Sequence, residues 1–586
     1  MGRFSTIFAV LVALLLIQTV KYCDCENSTS SCIQEEGEAL LKFKHSLRNI
    51  SHGLSSWKGK DCCQWKGVFC DNTGHVVELD LRGNFSSYYK PVAPEILEEN
   101  SWLLKLKYLT YLDLSNHNFQ GMIIPNFLGS MKSLAYLNLS YANFSGEVPY
   151  HLGNLTALQV LDLHMYDYGR GDQLYVNDVN WISNLSSLHY LDVSGVQFGG
   201  TRNLMQVLNS LPSLTHLDLH ECGLNYSHIP NHPVNSTHLA TLQFLDLSNN
   251  YGFSGGPIPI ALRNMTSLRV LHLTGNSFES SIPDWFGNFK SLVHLYLSQN
   301  QFNSTLDSLI SIFGNTCQLK TLQLPLLFHS AYELVPMDYL IAKKFQGEFP
   351  GNLPGCFGLA LETLDLTGHY IGGALPYWLG ELKFLKYLYL GGNAFSGSIP
   401  TSLGKLSNLR ELVIKNNQLN GTIPNCLGQL LNLRVLDVSF NSLQGTFSEV
   451  FLDNLSFLKE LSISHNNLTA ELKTNWIPPF QLEYIEMEAI KIGTQFPQWL
   501  QTQKQLIKLD LSDASIWGVI PNWILHMHLI THMNLSYNHI TGPLPENIGS
   551  SMPSMVSLLL NNNLINGSIP SSLCNRAFAI FRFFKQ

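Results

Sequence analysis

The sequence is short of charge. Only 13% of its 586 residues are Asp, Glu, Lys or Arg, and the formal net charge at pH 7 is −8. No long basic run occurs, so no nucleic-acid partner is expected. The motifs of nucleotide and hydrolytic chemistry are missing as well. There is no P-loop, dinucleotide fingerprint, HExxH, GxSxG or kinase signature. Long apolar runs are also missing apart from FAVLVALLLIQTV near the start, and that run is shorter than the ~20 apolar residues that span a bilayer. With Arg3 before it and Cys23 and Cys25 after it, the run predicts a secretion signal over residues 1–25, cut near Glu26.

A repeated phrase takes the place of catalytic motifs. LxxLxLxxNxFxGxIP recurs about every 24 residues, as in YLNLSYANFSGEVP from Tyr136 and YLYLGGNAFSGSIP from Tyr387. One such unit cannot bury its apolar face alone, whereas stacked copies share a core and expose a long surface. The central leucine is read at Leu112, Leu137, Leu161, Leu191, Leu217, Leu245, Leu271 and Leu295. After a poor copy at Leu322 it resumes at Leu364 and runs through Leu388, Leu412, Leu436, Leu461, Ile485, Leu509 and Met533 to Leu558. About nineteen repeats result. In YLDLS the period of two predicts a strand with Leu112 and Leu114 inward and Tyr111 and Asp113 on the concave side. The Asn after the strand, including Asn118, Asn143, Asn276, Asn300, Asn393, Asn417, Asn441, Asn538 and Asn563, is expected to turn inward and satisfy backbone groups. The Gly of GxIP permits a tight bend and the Pro ends the extended segment.

The first repeat needs a cap, predicted over residues 26–74. EEGEALLKFKHSL reads as an amphipathic helix. Cys32, Cys62, Cys63 and Cys70 then read as two disulfides, because secretion favours oxidation. Adjacent Cys62 and Cys63 are poorly placed to bond each other, and the expected pairing is Cys32–Cys62 with Cys63–Cys70. Repeats are expected over 75–324 and 361–574, an irregular excursion over 325–360, and a non-repeat tail over 575–586. Cys317 and Cys356 flank the excursion and are a possible staple at its base. MYDYGRGDQLYVNDVN, in the long gap after Leu161, is expected to loop out.

Candidate sites follow from the register. An aromatic group of His294, Tyr296, Tyr387 and Tyr389 interrupts a largely acidic or amide concave lane and is the candidate ligand site. About sixteen N-x-[ST] sequons occur. Those expected to carry glycans are Asn27, Asn49, Asn84, Asn184, Asn225, Asn264, Asn303, Asn420, Asn454, Asn467 and Asn566. Asn138 and Asn534 lie on concave strands, where a sugar would block part of the face. Asn143 is expected to stay unmodified because its amide is buried. His216, Asp218 and His220 share one strand face, but alternate strand residues are ~7 Å apart, too far for three to meet one ion. No metal or cofactor is expected. Protonation of about half of the 21 histidines would carry the net charge from −8 to about +2 in a mildly acidic compartment.

The cap CC-x-W-x-G-V-x-C together with the repeat phrase resembles plant extracellular leucine-rich-repeat proteins. CIQEEGEALLKFKHSL, TGHVVELDLRG and WIPPFQLEYIEMEAIKIGTQFPQWLQTQKQLIKLDLSDASIWGVIPNWI resemble the receptor-like proteins of the fungal-elicitor-receptor and scab-resistance branch. The resemblance covers nearly the whole chain after the signal. It implies an α/β solenoid, a right-handed leucine-rich-repeat superhelix of the plant-specific type with a disulfide-bonded N-terminal cap. It further implies a cell-surface immune receptor without a kinase, which binds a protein, peptide or glycan elicitor and signals through receptor-like kinase partners. Full-length members carry more repeats, a C-terminal cysteine cap and a membrane helix. This chain is therefore expected to be truncated at its C-terminus and to lack the anchor. It would sit at the plasma membrane by resemblance, or in the apoplast if it ends at Gln586. A secreted inhibitor of microbial wall-degrading enzymes and a developmental peptide receptor are the alternatives.

Overall fold

The structure, a computed structural model, describes residues 31–46, 54–83, 101–165, 173–233, 237–324, 345–473, 475–493, 495–574 and 580–582. The signal segment and Asn27, Asn49 and Asn84 lie outside the described residues. The chain divides into two compact units, Met1–Val196 and Gln197–Gln586.

The first unit begins with the helix Gln34–Ser46. Glu36 on this helix is buried. Its carboxylate accepts the Val76 N–H at 2.7 Å and meets His75 Nδ1 at 2.8 Å. Cys32–Cys62 and Cys63–Cys70 are the disulfides, as expected. Trp57 and Trp65 stack with centroids 5.4 Å apart, and their indole N–H groups donate to Lys66 and Lys58 carbonyls at 2.9 Å. These bonds let two large apolar side chains be buried with their polar tips satisfied. Strand Val68–Cys70 pairs antiparallel with Val76–Asp80. From there every pairing is parallel and leucine faces leucine: Leu79 with Leu112, Leu112 with Leu137, Leu137 with Leu161, Leu161 with Leu191.

The second unit continues the same scheme from Leu217 through Leu245, Leu271, Leu295, Leu322, Leu364, Leu388, Leu412, Leu436, Leu461, Ile485, Leu509 and Met533 to Leu558. All of these are buried. Within the second unit the inward Asn, where a repeat carries one, ties neighbouring turns together; Cys222, His369, Ile490 and Ala514 fill the same place in other repeats. Asn417 Nδ2 donates to the Leu390 and Ile414 carbonyls at 3.0 and 3.1 Å, and its Oδ1 accepts the Phe395 N–H at 3.0 Å. The Gly of the GxIP phrase has positive φ, 75° at both Gly397 and Gly421, a backbone region that Gly enters without steric cost. A second Gly, in the LGxL helices, has a different reason. A Cβ on Gly380 would lie 2.1 Å from the Ser402 carbonyl oxygen of the next turn.

Four expectations need correction. Asn118 and Asn143 stand one place past the inward position. Buried His117 and Ala142 occupy it, and His117 Nε2 meets the Leu81 carbonyl at 2.7 Å as the Asn amide does elsewhere. Asn143 is only half-buried and donates to Asn118 Oδ1 at 2.7 Å, so burial gives no reason for it to escape glycosylation. Conversely, Asn250 and Asn466 do fill the inward place.

The excursion is narrower than 325–360. Leu322 and Leu364 are direct neighbours, and Gln346–Glu348 pairs with Tyr370–Gly372. FQGEFP from Phe345 is a copy of the FxGxIP half-phrase. Phe345 is buried against Phe302 with centroids 6.2 Å apart. Cys317 and Cys356 are bonded, Cα atoms 5.0 Å apart.

The segment expected to loop out after Leu161 also rejoins the repeat. Leu174–Val176 pairs with Gly146–Glu147, and Leu174, Val176 and Val179 are buried. Finally, part of the expected tail is a rung of the ladder. Ile580–Arg582 pairs parallel with Ser557–Leu559, placing Phe581 opposite Leu558. A rung needs only matching backbone groups, so the phrase can lapse while pairing continues.

Candidate ligand-binding face

Each repeat strand sends its first and third residues to the same sheet face. In the first unit these are Tyr111 and Asp113, Tyr136 and Asn138, Val160 and Asp162, Tyr190 and Asp192. Tyr111 and Tyr136 stack with centroids 4.1 Å apart. The aspartates are less available than alternation suggests. Asp113 and Asp192 are buried, and each accepts the N–H of the serine two residues on, at 2.9 and 3.0 Å. Burial raises the Asp113 carboxyl to about 6. Asp162 is pushed up by burial and then by the charge of Asp192. In the second unit Asp246, Asp365 and Asp437 are buried and bonded to the backbone in the same way. The lane that reads as acidic in sequence is therefore largely spent on turning the chain.

The second unit carries a row of rings. His216 stacks on Phe244 at 3.9 Å, Phe244 lies 5.9 Å from His272, and His272 is 4.0 Å from Tyr296. Tyr296 is 6.3 Å from His294, whose Nδ1 meets Thr321 Oγ1 at 2.9 Å. His272 Nδ1 lies 3.4 Å from Asp246 Oδ2, while its Nε2 is buried without a hydrogen-bond partner. Burial holds both His272 and His294 below the ordinary imidazole range. His117 is lowered for the same reason. Acidification therefore charges fewer histidines than a half-and-half count implies.

The four residues singled out in sequence do not form one group. His294 and Tyr296 belong to the ring row. Tyr387 and Tyr389 form a separate pair, centroids 6.4 Å apart. The strands of Thr321 and Thr363 lie between the pairs. Tyr389 is buried and donates its hydroxyl to Glu411 Oε2 at 2.5 Å. The sequence reading joined the pairs by passing over the strands of Leu322 and Leu364 on either side of the excursion. It also left His216, Phe244 and His272 out of the group, although the same lanes contain them.

His216, Asp218 and His220 each have other work. The His216 ring stacks, Asp218 Oδ1 accepts the His220 N–H at 3.0 Å, and His220 Nδ1 meets Ser248 Oγ at 2.7 Å. Among the described residues, the one set of three donors within 4.8 Å of one another is Cys32, Cys62 and Cys63, which the disulfides occupy.

Models of the leucine-rich repeat N-terminal domain match residues 33–71, of a leucine-rich repeat region 359–516, and of the leucine-rich repeat 259–302 and 529–551. Receptor-like protein EIX1 of Solanum lycopersicum is 35% identical over 92% of this chain and 55% of its own length. Receptor-like protein EIX2 of the same species is 35% identical over 96% and 58%. The chain is a plant leucine-rich-repeat receptor-like protein. It spans a little over half the length of these curated relatives. Receptor-like protein 39 of Arabidopsis thaliana is also similar, at 27% identity over 93% of this chain and 53% of that protein. Among solved structures, the PEPR1–AtPEP1 complex superposes with a TM-score of 0.60 at 25% identity, over 94% of this chain and 82% of that one. The receptor kinase HAESA of Arabidopsis, solved with the peptide hormone IDA and the co-receptor SERK1, gives 0.62 at 22% identity over 94% and 90%. The second likeness concerns the fold alone. Among the described residues of this receptor-like protein, no helix is long and apolar enough to cross a membrane.

Proposed function

We propose that this chain is the extracellular ligand-recognition part of a plant cell-surface receptor-like protein that perceives a microbial elicitor and acts in defence. It carries no kinase of its own and signals through receptor-like kinase partners. The observation that carries this reading is the 35% identity to EIX1 along 92% of the chain. That likeness is accompanied by a sheet face that carries a row of rings. The elicitor is a protein, peptide or glycan. Its docking place is the ring row His216, Phe244, His272, Tyr296 and His294, with Tyr387 further along and Tyr389 holding Glu411 behind it. The rings of the row are half-buried, and the faces they leave open supply contact area at low entropic cost.

The sequons at Asn184, Asn264, Asn303, Asn420, Asn454, Asn467 and Asn566 are exposed, and Asn225 is half-buried. We place glycans on these sites.

The test is a leaf assay. Plants expressing the full-length gene should respond to fungal culture filtrate, and those expressing a Tyr296→Ala/His294→Ala form should respond weakly. An equal response from both forms would remove the ring row from the reading. If the purified chain instead slows a microbial wall-degrading enzyme in solution, it is an inhibitor. If it answers only to endogenous plant peptides, it is a developmental receptor.

A further inference from the structure

The residue just before each strand of the second unit forms its own column. Backbone bonds stack it directly. The Lys386 N–H donates to the Glu362 carbonyl at 2.8 Å, Arg410 to Lys386 at 2.8 Å, Arg434 to Arg410 at 2.6 Å, and Lys459 to Arg434 at 2.8 Å. Four cations thus follow one another at about one strand spacing each, covering about 14 Å. At both ends the column alternates in sign. Glu362 is held by Lys386 Nζ at 2.6 Å and Lys320 Nζ at 2.9 Å, and Glu483 by Lys459 Nζ at 3.2 Å. In the middle it does not alternate. Arg410 and Arg434 are exposed, and among the described residues neither makes an ion pair.

Like charges on neighbouring strands destabilise a sheet. The alternation Lys320–Glu362–Lys386 is the stabilising arrangement, so the run from Lys386 to Lys459 breaks a local rule without a gain in the free protein. The acids nearby do not answer it. In the adjacent lane Glu411 accepts the Tyr389 hydroxyl and Glu460 is largely buried beside Asp437 and Glu486, while Asp437, one lane further, pairs with Lys415 at 3.0 Å.

We propose that this column is a binding strip for a linear polyuronate, a 1,4-linked sugar chain with one carboxylate on every ring. Charge and reach favour this occupant: a uronate chain carries a carboxylate on every ring, and the long side chains of exposed Arg410 and Arg434 can swing to carboxylates that leave the chain in different directions. Each guanidinium is planar and takes a carboxylate through two parallel N–H bonds. The strip is separate from the ring row, with the strands of Thr321 and Thr363 between them. It would hold the protein on an acidic polysaccharide matrix whether or not an elicitor is bound.

The test is calorimetric titration of the full secreted chain with a de-esterified 1,4-linked oligogalacturonate, its methyl ester, and a polyglutamate peptide of equal charge. The acid form should bind, the ester should not, and added salt should weaken binding. Arg410→Gln/Arg434→Gln should lose at least about tenfold in affinity while its thermal midpoint does not fall. Arg410→Lys/Arg434→Lys should bind more weakly than the wild type but more tightly than the double Gln form, because it keeps the charge and loses the paired N–H bonds. Equal binding of acid and ester, unchanged binding by the double Gln form, or polyglutamate binding as tight as the sugar acid would each overturn the proposal.

Discussion

The side chain of Asn538 shows what one letter of the repeat does. Its amide donates to the Leu511, Leu535 and Ser536 carbonyls, and its Oδ1 accepts the Ala514 and Ile516 N–H groups. Asn538→Ala would strand these buried groups, at a cost of about 3 kcal/mol. A urea titration should show the midpoint falling, and an unchanged midpoint would mean that water replaces the amide. Glu460 gives a pH prediction. Burial, then the charges of Asp437 and Glu486, push its carboxyl up to about 7 from an ordinary 4.5. The folded form therefore keeps a proton that the unfolded chain releases, and stability is lost as pH rises through that window. The wild-type urea midpoint should drop between pH 5 and 7.5, and Glu460→Gln should drop less. At this scale the sequence was readable wherever a residue repeats the same job. Asn276 and Asn300 were placed by the register, but Asn118 and Asn143 were not. A His or Ala in the inward place leaves an Asn one position later as a decoy.

At the scale of elements, the strand register was legible from Leu112 to Leu558, because an apolar residue every two positions inside a fixed period admits one alignment; the last rung, Ile580–Arg582, was not. The departures were harder. FQGEFP lacks the leucines that mark a repeat, so its half-phrase was read as excursion. Aspartates read as solvent-facing by alternation are buried, because alternation says which way a side chain leaves the strand, not what it bonds. The staple was legible as a pair of cysteines, though only geometry joins them. Cys317→Ser/Cys356→Ser should lose about 2 to 4 kcal/mol, seen as a lower urea midpoint. An unchanged midpoint would show that Phe302 and Phe345 hold this rung without help.

For the whole molecule, stability is a sum over neighbours within each unit, and function depends on which surface the stacking leaves open. Glycopeptide mapping of the secreted chain should find Asn264, Asn303, Asn420, Asn454 and Asn467 occupied, since all five are exposed. If they are empty, secretory passage is in question. The central claim is recognition through the ring row. The measurement that tests it most directly is binding of size-fractionated fungal culture filtrate to immobilised wild-type chain and to a Phe244→Ala/His294→Ala/Tyr296→Ala form of comparable thermal midpoint. The account predicts a fraction that binds the wild type and is lost, by tenfold or more, from the variant. Equal binding of every fraction to both proteins would contradict it.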